Sequence, residues 1–133
     1  MTINAIAEDF AALDDWEDRY KYLIDLGNSL PPMDDSLKTE ASKVKGCMSQ
    51  VWMLLSWDGG KLTLLADSDA QIVRGLIAVL RALFVGKTVA EIENIDVEKT
   101  FRDLGLEGHI SPNRRNGFFS MVEVVRAFTS RRT

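Results

Sequence analysis

The sequence predicts a single domain that combines several α-helices with one antiparallel β-hairpin. The chain has 133 residues, of which 46% are hydrophobic and 27% charged, and this is the size and composition of one ordinary globular domain. Apolar residues recur at helical spacing over residues 72–84, and a β-rich run ends in the turn sequence Asp58-Gly59-Gly60. We therefore expect one domain over residues 1–133.

Two amphipathic helices are predicted at the start of the chain. Asp14 followed by Glu17 resembles a capping arrangement for the second helix, and Gly27 and then Pro31 are typical stop signals. The apolar residues that share one face of each helix are Ile3, Ile6, Phe10 and Leu13 in the first, and Trp16, Tyr20, Leu23, Ile24 and Leu30 in the second. The polar segment 33–42 is predicted to be a surface loop.

A strand from Met48 to Trp57 is predicted to turn at residues 58–60 and return as a second strand from Lys61 to Ala66. Apolar side chains occupy both faces of the first strand, so we expect its middle to be covered on both sides. Residues 43–45 are a candidate for a short third strand.

The second half of the chain reads as four helices. Ser68 and Gln71 resemble a capping pair for a helix that ends near Gly86, and its wide apolar arc predicts the central packing element. Further helix starts are predicted at Thr88 with Glu91, at Asp96, and at Ser111-Pro112, and the last helix is expected to bury Phe118, Met121, Val122, Val125 and Phe128.

Charge and cysteine content exclude several classes of function. The 16 basic and 20 acidic residues give a net charge of −4, so nucleic acid is not an expected partner. No apolar stretch reaches the roughly 20 residues that span a bilayer, and no signal peptide begins the sequence, so we expect a cytoplasmic protein without membrane contact. One Cys and one His cannot form a disulfide or an ordinary zinc or cluster site, so no cofactor or metal is expected.

Cys47 is the main candidate for chemistry. It follows Gly46 where a polar loop meets the predicted strand, a position from which a thiol can approach another protein's reactive sulfur. Gly46 supplies a backbone conformation closed to other residues or room for close approach. The alternative is that Cys47 is a small buried apolar residue with a structural role.

Charged neighbours offer further hypotheses for this thiol. Cations at Lys43, Lys45, Arg114 or Arg115 would raise the thiolate fraction if folding brought them close, although the two lysines also fit a solvated strand edge.

Other titratable residues have competing interpretations. His109 is a candidate base for a Cys–His pair, but we favour a surface or capping role for it. Asp67 and Asp69 fit stabilisation of a helix dipole better than acid–base work.

Four segments carry further information, in this order along the chain: 16–27 (WEDRYKYLIDLG), 46–52 (GCMSQVW), 66–76 (ADSDAQIVRGL) and 109–114 (HISPNR). Together they resemble the SufE family of sulfur acceptors. The resemblance extends from Leu13 to Phe128, which is nearly the whole chain.

The resemblance implies an α+β fold, in which a small antiparallel sheet packs against helices as in IscU-type scaffold proteins. It also implies that Cys47 accepts sulfur as a persulfide from a pyridoxal-phosphate cysteine desulfurase of SufS or CsdA type. The protein would stimulate that enzyme and deliver sulfur to a SufBCD-like cluster scaffold. Asp69 and Arg114 match positions associated with mobility of the cysteine loop or with partner contact.

A single cysteine suits this chemistry, because a second nearby thiol would collapse the persulfide to a disulfide. We therefore expect Cys47 to be sheltered in the free protein and exposed on docking. Two rival functions remain: an IscU-like cluster scaffold, disfavoured because one thiolate holds a cluster poorly, and a binding module that activates the desulfurase allosterically. The sequence leaves open which desulfurase is the partner.

Overall fold

The computed structural model describes residues 2–132 and confirms the predicted α+β fold, a two-stranded antiparallel sheet packed against helices. Within those residues there are six α-helices, two strands and two short 3-10 helices. The α-helices are α1 (Ile3–Ala12), α2 (Trp16–Asn28), α3 (Gln71–Phe84), α4 (Val89–Glu93), α5 (Val97–Asp103) and α6 (Pro112–Ser130). The strands are β1 (Val51–Asp58) and β2 (Lys61–Ser68), and the 3-10 helices are Asp35–Leu37 and Leu106–Gly108.

The hairpin turns through two glycines, as its sequence predicts. Gly59 and Gly60 have φ angles of 58° and 81°, the left-handed values that a two-residue turn matched to strand twist requires. Its register pairs Val51 with Ser68 at one end and Asp58 with Lys61 at the other. The start of β1 and the end of β2 therefore lie next to the segment that carries Cys47.

Three expectations about the sheet are wrong. The first strand begins at Val51, three residues later than predicted, and only one face of it is covered, since Leu54 is 39% exposed. Residues 43–45 form no third strand but a single bridge between Lys43 and Trp52. Apolar alternation alone does not distinguish a strand covered on both faces from one whose outer face carries a few exposed leucines.

Helix α3 is the central packing element, as predicted. It contacts α1, α2, α6 and β2, and nine of its residues are buried. It ends at Phe84, and Gly86 follows with a φ of 80°. The large apolar residues of its wide arc are all buried: Ile72, Val73, Leu76, Ile77, Val79, Leu80, Leu83 and Phe84.

The sequence predicts that Gly27 ends α2. In the structure Gly27 lies within the last turn of α2, at the contact with α3. A Cβ on Gly27 would lie 2.7 Å from the Gly75 nitrogen, and a Cβ on Gly75 would lie 2.4 Å from the Leu23 oxygen. The two glycines therefore allow the backbones of α2 and α3 to approach more closely than side chains would permit.

Most predicted helix starts are confirmed. Thr88 and Glu91 form a reciprocal capping box for α4, Asp96 caps α5, and Ser111 precedes Pro112 and accepts a hydrogen bond from the Arg114 amide at 3.3 Å in α6.

Two predicted starts are wrong. The cap of α2 is Asp15 in place of Asp14, since the chain enters the helix one residue later. Helix α3 begins after Ala70 without a side-chain cap, because Ser68 is still paired in β2.

The last helix buries Phe118, Met121, Val122 and Val125 as expected, while Phe128 is only half-buried and stacks on Trp57. No helix within residues 2–132 combines the length and apolar character needed to cross a membrane.

We predict that Gly75→Ala destabilises the fold by about 2 kcal/mol, because overpacking against rigid backbone outweighs the gain of about 1 kcal/mol in helix propensity. The free energy of unfolding in urea measures this effect. Gly108→Ala is the matched control, since a Cβ there meets no atom within 4 Å and should change stability by less than about 0.5 kcal/mol. A Gly75→Ala variant as stable as the parent would contradict the close packing of α2 on α3.

Candidate functional site: the cavity around Cys47

The loop that carries Cys47 spans residues 45–50 and is held at its base. The Val44 amide donates to the Val51 carbonyl at 2.8 Å, and the Met53 amide donates to the Ser42 carbonyl at 2.8 Å. These bonds join the two stems of the loop, residues 42–44 and 51–53, as a short antiparallel pair. The loop therefore projects from the sheet at a fixed place.

The tip of the loop rests on helix α6. The Cys47 thiol donates to the Gly117 carbonyl, with 3.7 Å between Sγ and the oxygen, and a Cβ on Gly117 would lie 3.6 Å from Sγ. Gly46 has a φ of 88°, and a Cβ on it would lie 3.0 Å from the Ser120 Oγ. Gly46 thus provides both the left-handed backbone and the close approach that the sequence left as alternatives.

Cys47 opens onto a cavity of about 320 Å³ between the loop, α3 and the start of α6. The thiol side chain is half-buried, while the next residue, Met48, is 81% exposed. The cavity is lined by Cys47, Met48, Ser49, Val51, Val73, Ser111, Asn113, Arg114, Gly117 and Phe118. It is therefore apolar on the side of the core and polar on the side of the α6 N-terminus.

Burial raises the pKa of the Cys47 thiol above its ordinary value. A partly desolvated sulfur favours its neutral form, because the thiolate loses solvation that the protein does not replace. The resting thiol is consequently protonated at neutral pH and a poor nucleophile.

Of the four cations proposed to tune this thiol, only Arg114 lines the cavity. Lys43 and Lys45 line a separate groove on the other side of the loop. Arg115 pairs with Glu107 at 3.2 Å and lies over the Phe119 ring. The structure thus brings one predicted cation to the site.

Asp69 holds the far end of the cysteine loop. Its Oδ1 accepts a hydrogen bond from the Gln50 amide at 3.1 Å, and its own amide donates to the Gln50 carbonyl at 3.3 Å. This reciprocal pair joins the loop directly to the segment that begins α3. Asp69 thus ties the C-terminal end of the loop to the start of α3.

Asp67 lies in β2 and makes an ion cluster, not the helix-dipole contact expected for it. Its carboxylate is 2.9 Å from Lys38 Nζ and 3.1 Å from Arg74 Nε. Burial alone would raise the pKa of Asp67, but hydrogen bonds from Lys38 and the Ser68 amide and the two nearby cations hold it below its ordinary value. Lys38 also lies over the Trp52 ring, so the cluster fixes the preceding loop to the sheet.

His109 has the surface role that we favoured over the Cys–His pair. Its ring is exposed, stacks on Trp16 with 4.1 Å between centroids, and has Nδ1 2.9 Å from the Gly105 carbonyl oxygen. It is not among the residues that line the Cys47 cavity.

Gly117 and Ser120 are the contact residues that the sequence analysis missed. Both residues lie in α6, 70 residues or more beyond Cys47 in sequence, so no local pattern connects them with the loop. A glycine inside a long helix costs about 1 kcal/mol relative to alanine, and this was the one available signal of close packing at Gly117.

We predict that Asp69→Ala increases the rate at which iodoacetamide alkylates Cys47 by about fivefold, because loss of a hydrogen bond worth about 1 kcal/mol favours the open loop. Asp69→Asn is the matched control, since its amide oxygen can still accept from the Gln50 amide. Equal rates for Asp69→Ala and the parent protein would show that Asp69 does not restrain the loop.

The pH dependence of alkylation should reveal the sheltered thiol. Because burial raises the pKa of Cys47, the thiolate forms at higher pH than in an exposed cysteine, and the midpoint of the rate–pH profile should lie above that of free cysteine. Urea-unfolded protein is the reference, and its midpoint should fall to the ordinary value. A folded-state midpoint at or below that reference would contradict the desolvation.

The sequence of this chain matches known proteins over nearly its whole length. Residues 4–129 match the family model described as "SufE: Fe-S metabolism associated domain". An uncharacterized SufE-like protein of Rhizobium meliloti is 44% identical over 130 residues, with 95% of this chain and 93% of the relative covered. The sulfur acceptor protein CsdE of Escherichia coli is 38% identical over 130 residues, covering 97% and 88%.

A solved structure has the same fold. The solution structure of a hypothetical protein from Thermus thermophilus superimposes with a TM-score of 0.78 at 21% identity, covering 98% of this chain and 97% of the other. A family match over nearly all of the described residues, with relatives at 38% and 44% identity, shows that the chain belongs to the SufE family.

Proposed function

We propose that this protein accepts sulfur from a cysteine desulfurase as a persulfide on Cys47 and delivers it for iron–sulfur cluster assembly. The observation that carries the proposal is the position of Cys47, half-buried at a cavity on a loop whose next side chain is 81% exposed. Membership of the SufE family and the similarity to a protein named sulfur acceptor support it.

The transfer needs one nucleophile and no oxidant. The Cys47 thiolate attacks the outer sulfur of the donor persulfide, a bond forms between that sulfur and Sγ, and the donor's sulfur–sulfur bond breaks. The donor cysteine leaves as a thiolate and takes up the proton that Cys47 lost. The products are a donor thiol and a persulfide on Cys47, so atoms and electrons balance.

The cavity supports storage of the product. A persulfide on a fully exposed loop would meet other thiols and lose its sulfur as sulfide. The 320 Å³ space beside Sγ has room for one more sulfur atom, and the chain has no second cysteine that could form a disulfide with the loaded one. The sheltered position of Cys47 therefore protects the bound sulfur from attack by other thiols.

The raised pKa of Cys47 supports a role for the partner in activation. Docking that draws the loop from α6 would return the sulfur to a polar environment, lower its pKa toward the ordinary value and increase the thiolate fraction. Asp69 and Arg114 are placed to act in this step, the first by releasing Gln50 and the second by contacting the partner at the cavity rim.

The proposed partners are a pyridoxal-phosphate desulfurase of SufS or CsdA type as donor and a SufBCD-like scaffold as recipient. A free thiol with this task requires a reducing compartment, so the proposal places the protein in the cytoplasm. Within residues 2–132 no group of three His, Cys, Asp or Glu side chains is arranged to hold a metal ion. An acceptor of this kind needs none.

Mass spectrometry after incubation with a desulfurase and cysteine tests the proposal. We predict a mass increase of one sulfur atom that maps to Cys47 and is removed by a thiol reductant. Cys47→Ser should carry no added sulfur and should lose stimulation of sulfide release.

A relocated thiol is the matched control. In the double variant Cys47→Ser with Ser56→Cys, the thiol lies on the exposed face of β1, and we expect little or no persulfide on it. Full stimulation by Cys47→Ser would favour the allosteric rival, and a stable cluster bound to the monomer would favour the scaffold rival.

A further inference from the structure

A second concave region lies away from Cys47, between the N-terminus of α1, the end of α2 and the end of α3. Its volume is about 570 Å³, within the roughly 300–1,000 Å³ range of small-molecule sites, and it shares no lining residue with the Cys47 cavity. We call it the α1–α3 groove. Its lining residues are Thr2, Ile3, Asn4, Ile6, Leu26, Ser29, Leu30, Pro31, Ala78, Arg81, Ala82, Val85 and Lys87.

The α1–α3 groove combines aliphatic and polar side chains, and its charge is of one sign. All three helices contribute aliphatic side chains, and Arg81 and Lys87 are the charged residues that line the groove. No aspartate or glutamate is among its lining residues, and none of the ion pairs recorded within residues 2–132 includes either cation. The groove is therefore lined by positive charge alone, although the net charge of the chain is −4.

The fold holds the Arg81 guanidinium and the Lys87 backbone in place. Arg81 Nη1 donates to the Leu64 carbonyl of β2, which orients the guanidinium and occupies one of its five N–H donors. The Lys87 backbone pairs with the same strand, its carbonyl accepting from the Leu62 amide at 2.9 Å. An anion at this place would therefore meet a guanidinium that is already positioned, with a flexible ammonium within the same groove.

Arg81 is also partly desolvated. Burial lowers the pKa of its guanidinium, although an arginine remains charged at neutral pH. A half-buried cation without a carboxylate partner within the described residues gains more from an anion than an exposed one does.

We propose that the α1–α3 groove binds a small organic anion, a carboxylate that carries an apolar chain. Arg81 and Lys87 contact the carboxylate, and the aliphatic side chains of the groove accept the apolar chain. A purely structural role would explain why a cation lies near the C-terminal end of α3 and is anchored on β2. That role uses few of the N–H donors of Arg81 and Lys87, and it does not involve the aliphatic side chains of the groove.

Titration of isotope-labelled full-length protein with octanoate, followed by amide chemical shifts, tests the proposal. We expect saturable shifts centred on Ile3, Leu30 and Val85 at the groove rim. Octanol, which has the same chain without the charge, should bind at least about tenfold more weakly.

Variants that remove one positive charge test which cation binds the carboxylate. Lys87→Met should weaken octanoate binding about threefold and Arg81→Met about tenfold, while Lys21→Met, on an exposed face of α2, should leave it unchanged. Lys87→Met serves as the decisive variant if Arg81→Met lowers the unfolding temperature. Equal affinity for octanol or octylamine, unchanged affinity in Lys87→Met, or shifts outside the groove would each overturn the proposal.

Discussion

Burial of helix α3 is the constraint on which the rest of the structure depends. The helix packs against the hairpin, α1, α2 and α6, and the glycine contact between Gly27 and Gly75 sets its distance from α2. Val73 near its start lines the Cys47 cavity, and Arg81 near its end lines the α1–α3 groove. One rigid element thus positions a wall of each concave region, which is why neither depends on loop geometry alone.

The cysteine loop is firmly held at its base and weakly held at its tip. The stems share backbone hydrogen bonds with each other, but Cys47 has only a long thiol contact to the Gly117 carbonyl, and the Asp69–Gln50 pair is solvent-exposed. Releasing the tip costs a few hydrogen bonds of about 1 kcal/mol each and some apolar burial. In the proposed mechanism, contacts worth about 8 kcal/mol, the equivalent of micromolar affinity, would exceed this cost, so a docking partner could expose the thiol without unfolding the domain.

Elements governed by local chemistry could be predicted from the sequence. The Gly59-Gly60 turn, the capping box at Thr88 and the apolar arc of α3 each depend on neighbours within a few residues, and the structure has all three. The role of Gly27 could not be predicted, because a glycine that ends a helix and one that allows a second helix to pack closely look alike in sequence.

The candidate site could be predicted only in part, for the same reason. The sequence placed Cys47 on a loop next to a strand, and it identified Asp69 and Arg114 through resemblance to a family. Gly117 and Ser120, which seat the loop, are distant in sequence, and their contacts follow from tertiary packing. Thiol burial, and hence the direction of its pKa, depends on that packing too.

The central claim is that a sheltered Cys47 receives the sulfur directly while the desulfurase is docked. A single-turnover experiment with radiolabelled cysteine sulfur, quenched at successive times, measures this most directly. We predict that label leaves the desulfurase persulfide at the rate at which it appears on Cys47, with no free sulfide beforehand. Label released as sulfide before any reaches Cys47 would contradict the account.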